Sequence, residues 1–143
     1  MARDIIHALE IHKGPQAVYD LIATRAGLAR FWTPSVSGDE QEGGELRFGF
    51  AGAPMELPMR VAKLDPGKAV AWECPGGFPH WQGSRVDWTL ESSGSGAKVL
   101  FRHRGLPDEM PDYDFGSVSL TWATILTRLK EVAEGAAVGP ALR

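Results

Sequence analysis

Residues 112–134 read DYDFGSVSLTWATILTRLKEVAE. Within them Phe115, Val118, Trp122, Ile125, Leu126, Leu129 and Val132 recur every three or four positions, the apolar stripe of an amphipathic helix. Asp112 or Asp114 is placed to cap the start, and Gly135 stands just past the end. At 1.5 Å per residue such a helix is about 34 Å long. A helix of that length with one apolar stripe needs a broad apolar surface to lie on. The residues before it must supply that surface.

They read as strands. Ile5, His7, Leu9 and Ile11 share one face of a segment whose other face carries Ile6, Ala8, Glu10 and His12. That alternation marks a half-buried strand. Gly14-Pro15 breaks it, and Pro15 suits the first turn of a helix whose apolar side is Ala17, Val18, Leu21 and Ile22. A second short helix is expected near Ala26 to Trp32, ended by Thr33-Pro34. Four further alternating runs cover Glu45–Phe50, Leu57–Leu64, Ser84–Glu91 and Ala97–Arg104. Another lies between them, with Val70, Trp72 and Cys74 on one side. Asp65-Pro66-Gly67-Lys68 is a tight turn, because Pro presets φ and Gly supplies a positive one. Ser92–Gly96 is a hairpin loop. Connections this short join antiparallel neighbours. The expected architecture is α+β, a helix-grip fold. A curved antiparallel sheet wraps around the long C-terminal helix, with two short helices after the first strand. One domain is expected over residues 4–134, with a flexible tail over 135–143.

Particular residues also resemble a known family. Ala17-Val18-Tyr19, then Gly27-Leu28-Ala29-Arg30-Phe31-Trp32, then Gly43-Gly44 before a strand are similar to the AHSA1-type branch of the SRPBCC superfamily, the START and Bet v 1-like proteins. His103-Arg104-Gly105 at the end of the last strand, with Trp122 and Leu129 in the final helix, fits the same branch. Phe31 departs from it, since a second Trp is common there. The resemblance implies a cavity between sheet and long helix that is used for apolar ligands. It does not imply one reaction, because members include lipid carriers, aromatase/cyclases and a co-chaperone domain.

Few polar groups fall on the inward faces: His7, Cys74, Ser84 and His103. The first and last strands are expected to be antiparallel neighbours, which puts His7 and His103 within one diagonal step. They would face the long helix near Tyr113 and Phe115, and at least one would have a lowered pKa from its neighbour's charge. Phe48, Trp72, Trp88 and Trp122 fall on inward faces, while Trp32 and Trp81 sit where a cavity mouth would form. With Tyr113, His7 and His103, these aromatic residues are the candidate ligand-binding residues. No catalytic residue can be named. Ser117, Ser119, Thr121 and Thr124 have no adjacent base to make them nucleophiles. Cys74 has no Cys partner and reads as an inert buried thiol. Two His without a carboxylate or thiolate at ligand spacing are not a metal set, and no cofactor motif is present. Arg47, Arg60, Arg85 and Arg102 fall on the outward sheet face.

Composition narrows the function. The chain has 143 residues, 43% hydrophobic and 23% charged, and 15 Lys and Arg against 18 Asp and Glu give a net charge of −3. That balance argues against a nucleic-acid binder or an anionic-membrane binder. No run approaches a membrane span, and the mixed N-terminus lacks a signal-peptide core. With a single Cys, a cytoplasmic setting is expected. The leading expectation is binding of a small hydrophobic or aromatic molecule in an internal cavity. A polyketide cyclase/dehydratase-like enzyme and a co-chaperone-like protein-binding domain are the alternatives, and a homodimer stays open.

Overall fold

A computed structural model describes residues 2–142. The elements run β1 (Arg3–Ile11), α1 (Pro15–Ile22), α2 (Arg25–Phe31), β2 (Ser35–Gly38), β3 (Glu45–Gly49), β4 (Leu57–Asp65), β5 (Ala69–Glu73), β6 (Arg85–Ser93), β7 (Gly96–Leu106) and α3 (Asp112–Ala133). Seven strands form one antiparallel sheet in the order β1-β7-β6-β5-β4-β3-β2. This is the helix-grip fold. The strand β2 is an addition to the expected set. Four residues of mostly exposed Ser and Gly carry no alternation to read, and pairing with β3 alone makes them a strand.

Cross-strand register aligns the inward side chains in rows. One runs Val61, Trp72, Val86, His103, Ile5, and the next runs Val70, Trp88, Phe101, His7. The opposite face carries a ladder of charge, Glu45–Arg60–Glu73–Arg85–Arg104. Arg47, Arg60 and Arg102 are exposed on that face and Arg85 is half-buried, so the sheet has one dry side and one wet side.

The helices pack on the dry side. Pro15 occupies the first turn of α1. Thr24 caps α2, its hydroxyl oxygen accepting from the Gly27 amide at 3.0 Å. The cap of α3 is Pro111 rather than an Asp. Asp112 instead lies in the first turn, where it pairs with Arg3 at 2.9 Å and favours the positive end of the helix dipole. Gly135 ends α3 with φ +94°, a left-handed conformation that costs glycine little.

The long helix also runs beside β1, an edge of the sheet. His7 meets Ser119, Lys130 Nζ donates to the Glu10 carbonyl at 2.9 Å, and the His12 amide donates to Glu134 at 2.8 Å. A bare strand edge invites pairing with other chains, and a helix laid along it removes the invitation. Trp122, Ile125, Leu126, Leu129 and Val132 are buried, whereas Phe115 and Val118 are half-buried. The N-terminal half of α3 therefore sits less tightly on the sheet than the C-terminal half.

Candidate functional site

The gap under that looser half is a cavity of about 130 Å³. Val118, Trp122 and Ile125 of α3 form one wall, with Ser117 and Thr121 at its rim. Trp32, Phe50 and Leu57 form the floor, and Phe78 and Trp81 come from the loop between β5 and β6. Leu142 closes one side. None of these lining side chains is titratable.

The sequence-nominated residues divide. Trp32, Trp81 and Trp122 line the cavity. Trp81 and Trp122 are stacked with ring centroids 6.0 Å apart, and Trp32 lies 5.0 Å from Trp122. Phe48, Trp72 and Trp88 do not reach it. Phe48 is stacked on Trp32 at 4.2 Å, Trp72 lies 6.0 Å from Trp32, and Trp88 meets Trp72 edge-on at 5.7 Å. All three are fully buried filler. Rings packed at these distances leave no room between them. Tyr113 is 85% exposed, on the solvent side of α3, and so takes no part in the interior.

His7 and His103 are one diagonal step apart on the inward face, since His7 opposes Phe101 and His103 opposes Ile5. They do not form a shared polar corner near Tyr113 and Phe115. His7 Nε2 lies 3.2 Å from both the carbonyl and the hydroxyl of Ser119. Phe115 lies under the Arg3 guanidinium, 4.4 Å from its ring centroid. His103, fully buried, takes different partners. The Trp122 indole N–H donates to its Nδ1 at 3.1 Å. Nδ1 is therefore an acceptor, the ring is neutral, and the proton sits on Nε2. Nε2 donates to Ser84 Oγ at 2.9 Å, and Ser84 in turn donates to the Trp81 carbonyl at 2.6 Å.

That direction settles what Ser84 and His103 can do. A general base must accept the serine proton, and in hydrolytic triads the third group accepts from the far nitrogen. Here the third group is a donor, so the imidazole faces Ser84 with its proton already in place. Ser84 is 2% exposed and out of reach of substrate. The relay is a clasp that holds the Trp81 loop and Trp122 to β6 and β7. Burial lowers the pKa of His103 to about 4, against a weaker upward pull from Asp4; the neighbouring imidazole is not the cause. Burial likewise raises the Cys74 thiol to about 11, with a Ser84 hydrogen bond acting the other way, so it is unreactive.

Sequence reading misses Phe50, Leu57, Phe78 and Leu142 as cavity residues. On α3 it places Val118 and Ile125 in the core stripe, but none of Ser117, Val118, Thr121 and Ile125 at the cavity. Phe50 and Leu57 do fall on inward strand faces, and Phe78 is an aromatic in a Gly-rich loop. Leu142 has no local signal. One more feature bears on chemistry: the Trp32 indole N–H is buried without a hydrogen-bond partner. Among the described residues no cluster of His, Cys, Asp and Glu is arranged to hold a metal ion, and no helix is long and apolar enough to cross a membrane.

Comparison with solved structures finds the same architecture repeatedly. The solution structure of the Aha1 dimer from Colwellia psychrerythraea is 28% identical, with a TM-score of 0.84 over 95% of this chain and 99% of that one. Protein MLL2253 from Mesorhizobium loti is 14% identical, with a TM-score of 0.80 over 95% of this chain and 100% of that one. CalU16 from Micromonospora echinospora is 20% identical, with a TM-score of 0.72 over 96% of this chain and 78% of that one. The last two show the fold alone. No curated sequence matches. A family model described as activator of Hsp90 ATPase homolog 1-like protein matches residues 14–134. With the helix-grip sheet, the long α3 and that match across most of its length, the chain belongs to the AHSA1 family of the SRPBCC superfamily.

Proposed function

We propose that the cavity under α3 binds a small, mainly apolar aromatic molecule carrying one hydrogen-bond acceptor, in a cytoplasmic setting that suits the free Cys74 thiol. The observation that carries this reading is the unpartnered indole N–H of Trp32, a residue that lines the cavity. A buried donor left unpaired costs about 1–3 kcal/mol. The nitrogen itself is closed off from the cavity, so a ligand oxygen recovers that cost only where the Trp32 ring tilts its N–H toward the space, while the aromatic walls would take up the ring. The volume fits a single ring, since an apolar cavity of about 150 Å³ accommodates benzene. An enzymatic reading, of the cyclase or dehydratase kind, has less support. No titratable side chain lines the cavity, and His103 behind it is committed to Trp122 and Ser84.

Titration with phenol and with toluene, followed by Trp emission, tests the reading. Phenol is expected to bind more tightly than toluene. In Trp32→Phe that preference should shrink by about fivefold, the worth of roughly one hydrogen bond. The ratio is the readout, because the substitution also changes the shape of the floor. Equal binding of both probes to the unaltered protein, or none of either, sinks the proposal.

One observation favours protein docking as a second reading. Tyr113 and Leu120, 85% and 70% exposed, lie two turns apart on α3, and no charged residue occurs from Phe115 to Thr127. A dimer, as in the Colwellia Aha1 structure, is one form such docking would take. Leu120→Asp should abolish that association and leave phenol binding unchanged.

A further inference from the structure

Residues 136–142 fold back onto the body of the protein. The amides of Ala141 and Leu142 donate to the carbonyls of Phe31 and Trp32, each at 2.8 Å. These are among the carbonyls that the end of α2 leaves without intrahelical partners. Arg128 donates to the Gly139 carbonyl. The result is a strap that brings Leu142 to the cavity wall beside Trp32 and Ile125. The strap lies outside the segment that matches the family model, residues 14–134.

Its attachment is slight compared with that of the wall formed by Trp32, Trp122 and Ile125: Ala141 and Leu142 pack only on the edge of the core, as the half-buried Phe50 and Phe78 also do. Ala136, Ala137 and Gly139 are exposed, Val138 is 40% exposed, and Leu142 is half-buried. Trp32, Trp122 and Ile125, by contrast, are each at most 2% exposed and sit within the sheet–helix core. Segments with few buried apolar contacts and exposed backbone hydrogen bonds open first.

We propose that residues 136–142 are the movable wall of the cavity and that Leu142 sets the largest ligand it admits. This rests on reading the cavity as a ligand site. With the strap seated, 130 Å³ takes a one-ring molecule. A fused two-ring molecule needs more space, and displacing the strap, held by two backbone hydrogen bonds and the Arg128–Gly139 bond, yields it. The closed form selects one-ring aromatics, and two-ring aromatics enter only when Leu142 is lifted.

Two measurements test this separately from ligand binding as such. Ile125→Cys places a thiol on the cavity wall, and the buried native Cys74 gives only a slow background. Alkylation by N-ethylmaleimide is then compared in the 143-residue chain, in Leu142→Gly, and in a chain ended after Gly135. Labelling should be at least about tenfold faster in both strap variants, as expected when a local opening step is removed. Equal rates in all three overturn the movable wall, whatever the cavity binds. Should Ile125→Cys fail to fold, Val118→Cys, half-buried on the same wall, replaces it.

The second measurement titrates phenol and 2-naphthol into the same three backgrounds without the added Cys. Leu142 also touches phenol, so the ratio of the two affinities is the readout: it should move about tenfold toward 2-naphthol once the strap is shortened or Leu142 removed. Phenol binding with an unchanged size preference overturns the role given to Leu142. No binding of either probe to any of the three overturns the ligand-site reading instead, and the alkylation rates still decide whether the strap moves.

Discussion

Trp122 donates its indole N–H to Nδ1 of His103 across 3.1 Å, joining the middle of α3 to the last strand of the sheet. The bond fixes the imidazole as the neutral tautomer with its proton on Nε2, which passes the same direction of donation through Ser84 to the Trp81 backbone. One buried polar chain thus positions two of the three tryptophans that line the cavity. Every member is satisfied, and a fully satisfied buried network rigidifies its surroundings.

Protonating His103 would turn Nδ1 into a donor facing another donor, so the clasp should fail in acid. The unfolded chain takes up this proton near pH 6.5, and the folded chain only near pH 4, because burial disfavours the charged ring. Between those values the unfolded state binds more protons, so stability falls as pH drops from 6.5 to 4 and is fully retained above that window. The span corresponds to about 3 kcal/mol at most. Thermal unfolding midpoints followed from pH 7 to 4 should fall more steeply for the native protein than for His103→Gln. Parallel curves would falsify the assignment.

The fold is legible because its two periods are unmixed. The alternation of Val86, Trp88 and Leu90, or of Val99, Phe101 and His103, gives both the strand and its inward face. The change to a three-to-four spacing after Phe115 gives the helix. The His7–His103 diagonal follows from the same parity once the first and last strands are paired. Depth is what parity does not encode. Phe48, Trp72 and Trp88 share the inward face of the sheet but fill the layer packed against Trp32, and only the packing of whole rings decides which of them meets empty space. Ser35–Gly38 and Leu142 depend on partners far along the chain, and nothing in their own residues announces the contact.

The stripe on α3 carries a direct consequence for stability. Leu129 is fully buried, so Leu129→Ala should lower the unfolding free energy by about 2–5 kcal/mol through lost burial and a residual void. Thr124, five residues earlier on the exposed face, should tolerate Ala within about 0.5 kcal/mol. Arg128 is a poor reference because it also holds the strap at Gly139. Urea unfolding of the two variants decides the matter, and comparable midpoints would mean that the buried face is misassigned.

Glycine in a helix ordinarily costs stability, and two glycines here should respond to Ala in opposite senses. At Gly116 in α3 an added Cβ meets nothing within 4 Å, so Gly116→Ala should stabilise by about 0.5–1 kcal/mol through helix propensity alone. At Gly27 in α2 the same Cβ would stand 2.4 Å from the Leu21 carbonyl oxygen, 2.5 Å from Leu21 Cα and 2.7 Å from the Asp20 carbonyl oxygen. All three are backbone atoms of α1, so no side chain can swing aside. The tight α1–α2 corner exists because Thr24 caps α2 only two residues after α1 ends, and Gly27 is what lets the two helices meet there. Separating them would displace Trp32, the C-cap of α2 and the floor of the cavity. Gly27→Ala should therefore destabilise by about 1–3 kcal/mol despite the better propensity of Ala, with a loss of phenol binding that Gly116→Ala does not show. If urea unfolding finds both variants stabilised alike, the close approach of α1 to α2 is wrong.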